Sequence, residues 1–269
     1  MKVIPKVVAS IHTLVVALIV IAAGQQVLTQ SQPAAQAPPA RTRVQTVQIK
    51  PEMLRAWLDL NRTEVIPGLK KAGVAWRWVY SNGGPVGPGF TFTLVTPLTN
   101  YAQFDDGPAL RKAMGPEAYA RYQDKERTMI AGTSAYVQTL VQNASIVSGS
   151  STAPPLAVVT TIQLLPGRGQ EFATLTASDF VPAMKKAGAT DYWVFATNIG
   201  GPPGQRTIVQ PLSKWADLDA QNPMARALGA EAAQKLNQKR VQLTASAVTT
   251  VVSFAPELSF GAPPPPPSR

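Results

Sequence analysis

The sequence has no cysteine among its 269 residues, and its only histidine is His12. The absence of cysteine excludes disulfide bonds, thiolate zinc sites, iron–sulfur clusters and cysteine nucleophiles. If the segment that holds His12 is removed as a signal peptide, the rest of the chain has no imidazole. That excludes Ser-His-Asp catalysis, His-ligated haem and nearly every catalytic zinc site.

Charged residues are scarce, at 15% of the chain against roughly 25% in an average soluble protein. Apolar residues make up 45% and are spread along the sequence, so the chain can bury a large core and its bulk is not disordered. The net charge is +10, but no run of basic residues exceeds two, and basic and aromatic residues do not alternate as in an RNA-binding sheet. We therefore expect no nucleic-acid partner.

The N-terminal segment has the pattern of a secretory signal peptide. Lys2 and Lys6 precede an apolar run over residues 7–23, which ends in small residues up to Gly24. We expect cleavage after Gly24, a secreted or periplasmic protein, and no integral membrane span in the mature chain. The alternative is an uncleaved N-terminal anchor, although the run is short for a span of about 20 residues.

Composition divides the remainder into four segments. Residues 25–42 form a disordered Gln/Ala/Pro linker, 43–150 and 155–260 two copies of one unit, and 261–269 a disordered proline-rich tail. Residues 65–73 return as residues 180–188 at a shift of 115. The same shift aligns Trp78 with Trp193, and a shift of 114 aligns the second part of each copy. Matches at constant spacing over such a length indicate a duplication.

Each copy predicts the element order βαββαβ, a ferredoxin-like unit, so the fold class is α+β. In the first copy one helix is expected from Pro51 to Gly73 and the second strand from Val74 to Ser81. One such unit leaves a face of its sheet bare. Two tandem units can set those faces against each other and close one pseudo-dimeric eight-strand α/β barrel. Such a barrel holds side chains alone or one small ligand, and the duplication predicts a monomer.

The duplicated unit resembles the dimeric α/β-barrel superfamily, which includes NIPSNAP-like proteins, antibiotic-biosynthesis monooxygenases, EthD-like proteins and haem-containing chlorite dismutases. The NIPSNAP-like features are Gly83-Gly84-Pro85 after the Trp-rich strand and Tyr101 after the returning strand. The resemblance covers residues 43–260 and implies the barrel fold. The haem-binding branches need a proximal histidine, which the mature chain lacks, so we expect no cofactor. Cofactor-free monooxygenases of the superfamily use Asn, Trp, Arg or His, of which His is missing here.

The second strand of each copy carries the candidate site. In the first copy Arg77 shares a face with Val79, and we assign that face to the barrel lumen because an arginine beneath helices is costly unless it is paired. Its counterpart Tyr192 then faces the same cavity. An arginine and a tyrosine converging there predict an anchor for a small carboxylate or phenolate. The alternative is that Arg77 lies near a strand end and extends to water.

Three further residues belong to the candidate ligand site. Trp78 and Trp193 occupy equivalent positions and are either core residues or stacking platforms. Asp191 stands on an aromatic face where the first copy has Trp76. If buried, it would act as a base or pair with an arginine; near the strand end it would instead be solvated. No spacing of carboxylates predicts a metal site.

Three functions remain open. The first is an exported protein whose barrel binds a small apolar or aromatic ligand. The second is a cofactor-independent monooxygenase or isomerase acting on a small aromatic or polyketide-like substrate. The third is a non-catalytic interaction module with a filled barrel. The sequence favours the first, leaning away from an enzyme, because a fold does not by itself imply an activity.

Overall fold

The structure is a computed structural model that describes residues 41–220 and 222–263. The predicted signal peptide, residues 25–40 of the predicted linker and residues 264–269 of the predicted tail lie outside the described residues.

The first half of the described chain has the order βαββαβ. Its strands are β1 (Arg41–Ile49), β2 (Trp78–Ser81), β3 (Thr91–Leu98) and β4 (Ile130–Leu140). Its α-helices are α1 (Leu54–Leu60), α2 (Ile66–Lys71), α3 (Ala109–Met114) and α4 (Pro116–Met129), with a π-helical turn at Asn61–Val65 between α1 and α2. Short 3₁₀ turns lie at Pro51–Met53, Tyr101–Phe104 and Gln142–Ala144.

The second half repeats this order. Its strands are β5 (Leu156–Leu164), β6 (Trp193–Ile199), β7 (Gln205–Leu212) and β8 (Thr244–Phe254). Its α-helices are α5 (Gly169–Leu175), α6 (Val181–Lys186), α7 (Pro223–Leu228) and α8 (Ala230–Gln242), and a π-helical turn at Thr176–Phe180 joins α5 to α6. Short 3₁₀ turns lie at Trp215–Leu218 and Pro256–Leu258.

The eight strands close one barrel in the order β1-β3-β2-β8-β5-β7-β6-β4, and every neighbouring pair is antiparallel. The two halves join where β2 pairs with β8 and where β4 pairs with β6. The predicted α+β barrel, made of two ferredoxin-like units, is therefore confirmed. No helix in the described ranges is both long enough and apolar enough to cross a membrane.

The π-helical turns have a cause in the sequence. Pro67 and Pro182 follow them at equivalent positions, and a proline ring inside a helix clashes with the carbonyl four residues earlier and removes one hydrogen bond. The helix widens into a π turn just before each proline, which relieves the clash. The single helix expected over residues 51–73 is for this reason divided. Its last part, α2, ends at Lys71, and the chain leaves the helix at Gly73, whose φ of 78° suits glycine.

The described residues form four apolar cores, one of which packs the helices of the first half against each other around Leu60, Val65 and Tyr122. Of the other three, two lie between the sheet and the helices, one in each half, and the third lies inside the barrel, where residues of both halves meet. Each half also sends a short arm to the other. After β4, Ile146 pairs with Tyr192, and after β8, Phe260 pairs with Arg77. Each arm extends the barrel wall beside the second strand of the opposite half.

Candidate functional site

The orientation of β2 differs from the sequence-based assignment. Val79 packs with Val47 and Trp57 beneath the helices of the first half. Trp76, Trp78 and Tyr80 pack instead with Ala157 and Val252 of the second half, inside the barrel. Because side chains alternate along a strand, Arg77 lies on the helix side with Val79. The prediction that Arg77 faces the lumen is therefore wrong.

A partner on the helical layer makes this position possible for Arg77. Its side chain is 1% exposed, and its Nη2 donates a hydrogen bond to Oδ1 of Asn61 at 2.8 Å. Asn61 is the first residue of the π turn and is itself held by its Nδ2, which donates to the Trp57 carbonyl at 2.9 Å. Nη1 of Arg77 is buried and has no hydrogen-bond partner among the described residues. The site thus contains a buried cation with one donor group free.

Two side chains of α4 set the electrostatics around this guanidinium. Burial lowers the pKa of Arg77 to about 10, against the opposing influence of Tyr122 and Glu126. Burial raises the pKa of Tyr122, and the charge of Glu126 and a hydrogen bond to its carboxylate raise it further. Tyr122 therefore stays a neutral phenol at physiological pH, and Arg77 stays charged.

Glu126 links the buried cluster to solvent. It is half-buried and lines an open depression of about 280 Å³ between α4 and the start of β4. The other lining residues are Gln123, Arg127, Ile130, Ala131, Gly132 and Thr133. We name Asn61, Arg77, Tyr122 and Glu126 the Arg77 cluster.

Tyr192 does not join Arg77. It is 2% exposed and packs with Phe172 and Val194 beneath the helices of the second half, on the opposite side of the barrel. Burial raises the pKa of Tyr192 to about 12. The predicted convergence of Arg77 and Tyr192 in one cavity is wrong, because both residues face their own helices rather than the lumen.

The other predicted site residues lie on the lumen side. Trp78 belongs to the interior core and Trp193 packs against it. Asp191 is half-buried and accepts hydrogen bonds from the Ser148 amide at 2.9 Å and from Nε1 of Trp193 at 3.1 Å. Asp191 thus orients Trp193 and holds the segment after the first arm. Whether these residues touch a ligand stays a prediction.

Asn61, Tyr122 and Glu126 were missed at the sequence level. A usable signal was present in the duplication itself. At the aligned positions the second copy has Thr176, Leu236 and Arg240. Only Tyr122, which aligns with Leu236, changes from polar to apolar at a buried position, and such a change in a duplicated unit indicates that one copy has a use for the polar residue.

Several solved structures superpose on this chain over most of its length. A proposed monooxygenase from Fusobacterium nucleatum superposes with a TM-score of 0.55 at 11% identity, covering 80% of this chain and 92% of that chain. An anthrone oxidase-like protein gives 0.54 at 10% identity, covering 81% and 92%. A proposed monooxygenase from Lactobacillus acidophilus gives 0.52 at 7% identity, covering 84% and 99%.

The chain has the dimeric α/β-barrel fold. Here one chain supplies both units of the barrel. Identities this low establish the fold and nothing about the activity. No protein-family model matches the sequence, and no curated protein is significantly similar to it in sequence.

Proposed function

We propose that this chain is a small-ligand-binding protein whose first half binds the carboxylate or phenolate of a small organic molecule at Arg77. The observation that carries the proposal is the buried Nη1 of Arg77, which has no partner among the described residues. A buried charge without full hydrogen bonding is costly, and an anion that accepted from Nη1 would remove that cost. The guanidinium is also the side chain whose geometry best matches a carboxylate.

The surroundings of Arg77 suit a ligand with an apolar body. Tyr122 packs with Leu60 and Val65, so an aromatic or aliphatic body would find apolar contacts beside the anionic group. Asn61 fixes the guanidinium from the other side, which limits its loss of entropy on binding. Glu126 lines both the depression and the cluster, so we propose the depression as the route from solvent.

We also propose a cellular location and an oligomeric state for this chain. Residues 1–24 support export, and the alternative remains an N-terminal anchor. Closure of the barrel within one chain supports a monomer.

Titration calorimetry with benzoate, a small aromatic carboxylate, tests the site. We expect Arg77→Met to weaken benzoate binding by roughly a hundredfold, because a hydrogen bond to a charged group contributes about 1.5–3 kcal/mol. Arg77→Lys should keep only part of the wild-type benzoate affinity, since an ammonium group lacks the planar fork of a guanidinium. Tyr192→Phe, the matched change in the second half, should leave binding unchanged.

Native mass spectrometry of protein purified from its own host complements this titration. A monomer carrying one acidic small molecule supports the proposal. If Arg77→Met binds benzoate as tightly as the wild type does, the proposed site at Arg77 is wrong. A ligand-free monomer that does not bind benzoate would favour the interaction module with a filled barrel.

A second candidate function is a cofactor-independent monooxygenase. It is supported by the superposition on proteins described as monooxygenases and on an anthrone oxidase-like protein. In such a reaction Arg77 would stabilise the phenolate of a deprotonated substrate. The test is oxygen uptake with an anthrone, which consumes one O₂ and yields one quinone and one water. Turnover in the wild type that is lost in Arg77→Met supports this candidate, and the absence of turnover contradicts it.

A further inference from the structure

A second arginine lies beneath the helices of the first half, beside Arg77. On β1, strand alternation places Arg43 on the helix side of the sheet, together with Val47 and Ile49. Arg43 pairs with Thr96 of β3, and by the register of β2 with β3 Arg77 stands beside the same threonine. The two arginines therefore flank one residue from the two neighbouring strands, with about 10 Å between their Cα atoms.

The two arginines differ in their access to solvent. Arg43 and Thr96 are partly exposed, whereas Arg77 is buried. Nη1 of Arg43 donates a hydrogen bond to Oε1 of Gln45 at 2.8 Å, and Nε2 of Gln45 donates to Oγ1 of Thr133 at 3.2 Å. Thr133 lines the depression that we propose as the route from solvent. Solvent thus reaches Arg43 and the strand between the two arginines, while Nη1 of Arg77 lies further in.

Two tyrosines of α4 lie over this pair of arginines. Burial lowers the pKa of Arg43 and Tyr119 opposes that effect, as Tyr122 does at Arg77, so one phenol is near each guanidinium. The two rings stack with their centroids 5.8 Å apart. Tyr119 is half-buried and Tyr122 is buried. The stack therefore offers an aromatic surface that runs from the partly exposed arginine to the buried one.

The charges of this layer are not balanced. Neither Arg43 nor Arg77 forms an ion pair with another of the described residues. Burial raises the pKa of Tyr119, Glu126 raises it further, and Arg43 and Arg111 lower it. Three cations therefore surround one carboxylate, and the excess of two positive charges in a partly buried layer favours a partner with two negative charges.

The second half shows that the fold needs neither arginine. At the positions equivalent to Arg43 and Arg77 it has Val158 and Tyr192. Both halves nevertheless form the same four-stranded sheet with helices on its outer side. Two cations that flank one threonine, and that only one copy has, indicate a use that the two share.

We infer that Arg43 is a second anchor of the proposed ligand site, and that the ligand is a dicarboxylate with an apolar body. This inference rests on the proposed function at Arg77. One carboxylate would accept from Nη1 of Arg77 and the other from the partly exposed guanidinium of Arg43, with the body against the stacked tyrosines. Two separate carboxylates match the site because each guanidinium is held by a partner of its own, Asn61 or Gln45.

Titration calorimetry at pH 7 with isophthalate (benzene-1,3-dicarboxylate) and with benzoate tests the second anchor. We expect the wild type to bind isophthalate roughly tenfold more tightly than benzoate, because the second carboxylate gains a hydrogen bond to a charged group. Arg43→Val, which introduces the residue of the second half, should bind the two ligands equally. Arg77→Met should weaken the binding of both.

Arg41→Leu is the matched control. It removes the same charge from the next helix-side position of β1, and it also introduces the residue of the second half, Leu156. This variant should keep the tenfold preference for isophthalate. Thermal unfolding shows that each variant is folded, and Arg43→Gln, which keeps a donor for Gln45, replaces Arg43→Val if that variant does not fold.

Three results would overturn the inference and leave the site at Arg77 standing. They are equal affinities of the wild type for the two ligands, a preference for isophthalate that persists in Arg43→Val, and a preference that Arg41→Leu loses as well. The last would mean that net charge, rather than Arg43, sets the preference. A wild type that binds neither ligand would instead contradict the proposed function at Arg77, and this inference with it.

Discussion

The two halves of the barrel share a backbone and differ in what they bury beneath their helices. Both have a proline-induced π turn facing the second strand. In the first half this layer contains the polar Arg77 cluster, Asn61, Arg77, Tyr122 and Glu126. At the equivalent positions the second half has Thr176, Tyr192, Leu236 and Arg240.

The same scaffold therefore buries a charged guanidinium in one layer and, at the equivalent position of the other, the neutral phenol of Tyr192. In the second half the Thr176 hydroxyl donates a hydrogen bond to the Phe172 carbonyl of its own helix at 2.7 Å. It therefore needs no partner from the facing strand. That half also has an open surface depression, of about 640 Å³, but neither Tyr192 nor Arg240 lines it. The comparison teaches that the fold does not require the buried arginine. Its cost in the first half calls for a separate explanation, and the ligand proposed above would be one.

The largest effect should come from removing the partner of Arg77. Asn61→Leu leaves the guanidinium without a protein hydrogen bond and should lower the free energy of unfolding by about 3 kcal/mol. Thr176→Val, the matched change, should cost about 1 kcal/mol because it removes one neutral hydrogen bond. Urea unfolding with unchanged m-values measures both. Equal losses would mean that the two layers are energetically alike.

An intermediate effect is expected at alkaline pH. A phenol whose pKa is higher in the folded state than the unfolded value of about 10 stabilises the protein below that pH, and the stability is lost as the pH rises through the folded pKa. Glu126 adds to burial at Tyr122, whereas Arg240 opposes burial at Tyr192. Tyr122→Phe should therefore move the midpoint of alkaline unfolding upward by more than Tyr192→Phe does.

Circular dichroism followed against pH above 9 measures these midpoints. Arg77 acts in the opposite direction, because its lowered pKa lets it lose its proton in the same range. Repeating the Tyr122→Phe comparison in an Arg77→Met background removes that contribution. An unchanged order of the two tyrosines there would support the assignment, and a reversed order would contradict it.

The smallest effect concerns Asp191, which replaces Trp76 of the first half. Asp191→Ala removes two hydrogen bonds from a half-buried carboxylate and should cost about 1 kcal/mol. Benzoate affinity should not change, because Asp191 does not contact the Arg77 cluster. The readouts are thermal unfolding and the same calorimetric titration. Loss of benzoate binding in Asp191→Ala would mean that Asp191 belongs to the ligand site.

The fold was predictable from the sequence because the duplication supplied two independent readings of each element. Alternation along β2 also separated Arg77 and Val79 from the tryptophans. Alternation does not tell which face of the strand packs against the helices and which faces the barrel interior. The assignment of Arg77 to the lumen rested on the cost of an unpaired buried arginine, and the partner that removes this cost, Asn61, lies 16 residues away on a π turn.

Long-range placement accounts for the other misses. Tyr122 and Glu126 reach Arg77 from α4, which is separated from β2 by the hairpin and α3. No local pattern marks them as its neighbours. The predicted pairing of Arg77 with Tyr192 failed for the same reason, since equivalent positions in a two-fold barrel lie on opposite sides of it.

The exchange of arms between the halves makes the backbone pairing of each repeat depend on the other. The segment that pairs with Arg77, at Phe260, is the end of the second repeat, and Gly261 follows it where a Cβ would collide with the Ala75 carbonyl oxygen. The backbone of Arg77 is therefore paired with the second repeat, at 2.8 and 2.9 Å. The first repeat alone would leave the amide and the carbonyl of this buried residue without those partners, so each arm ties the stability of one repeat to the presence of the other.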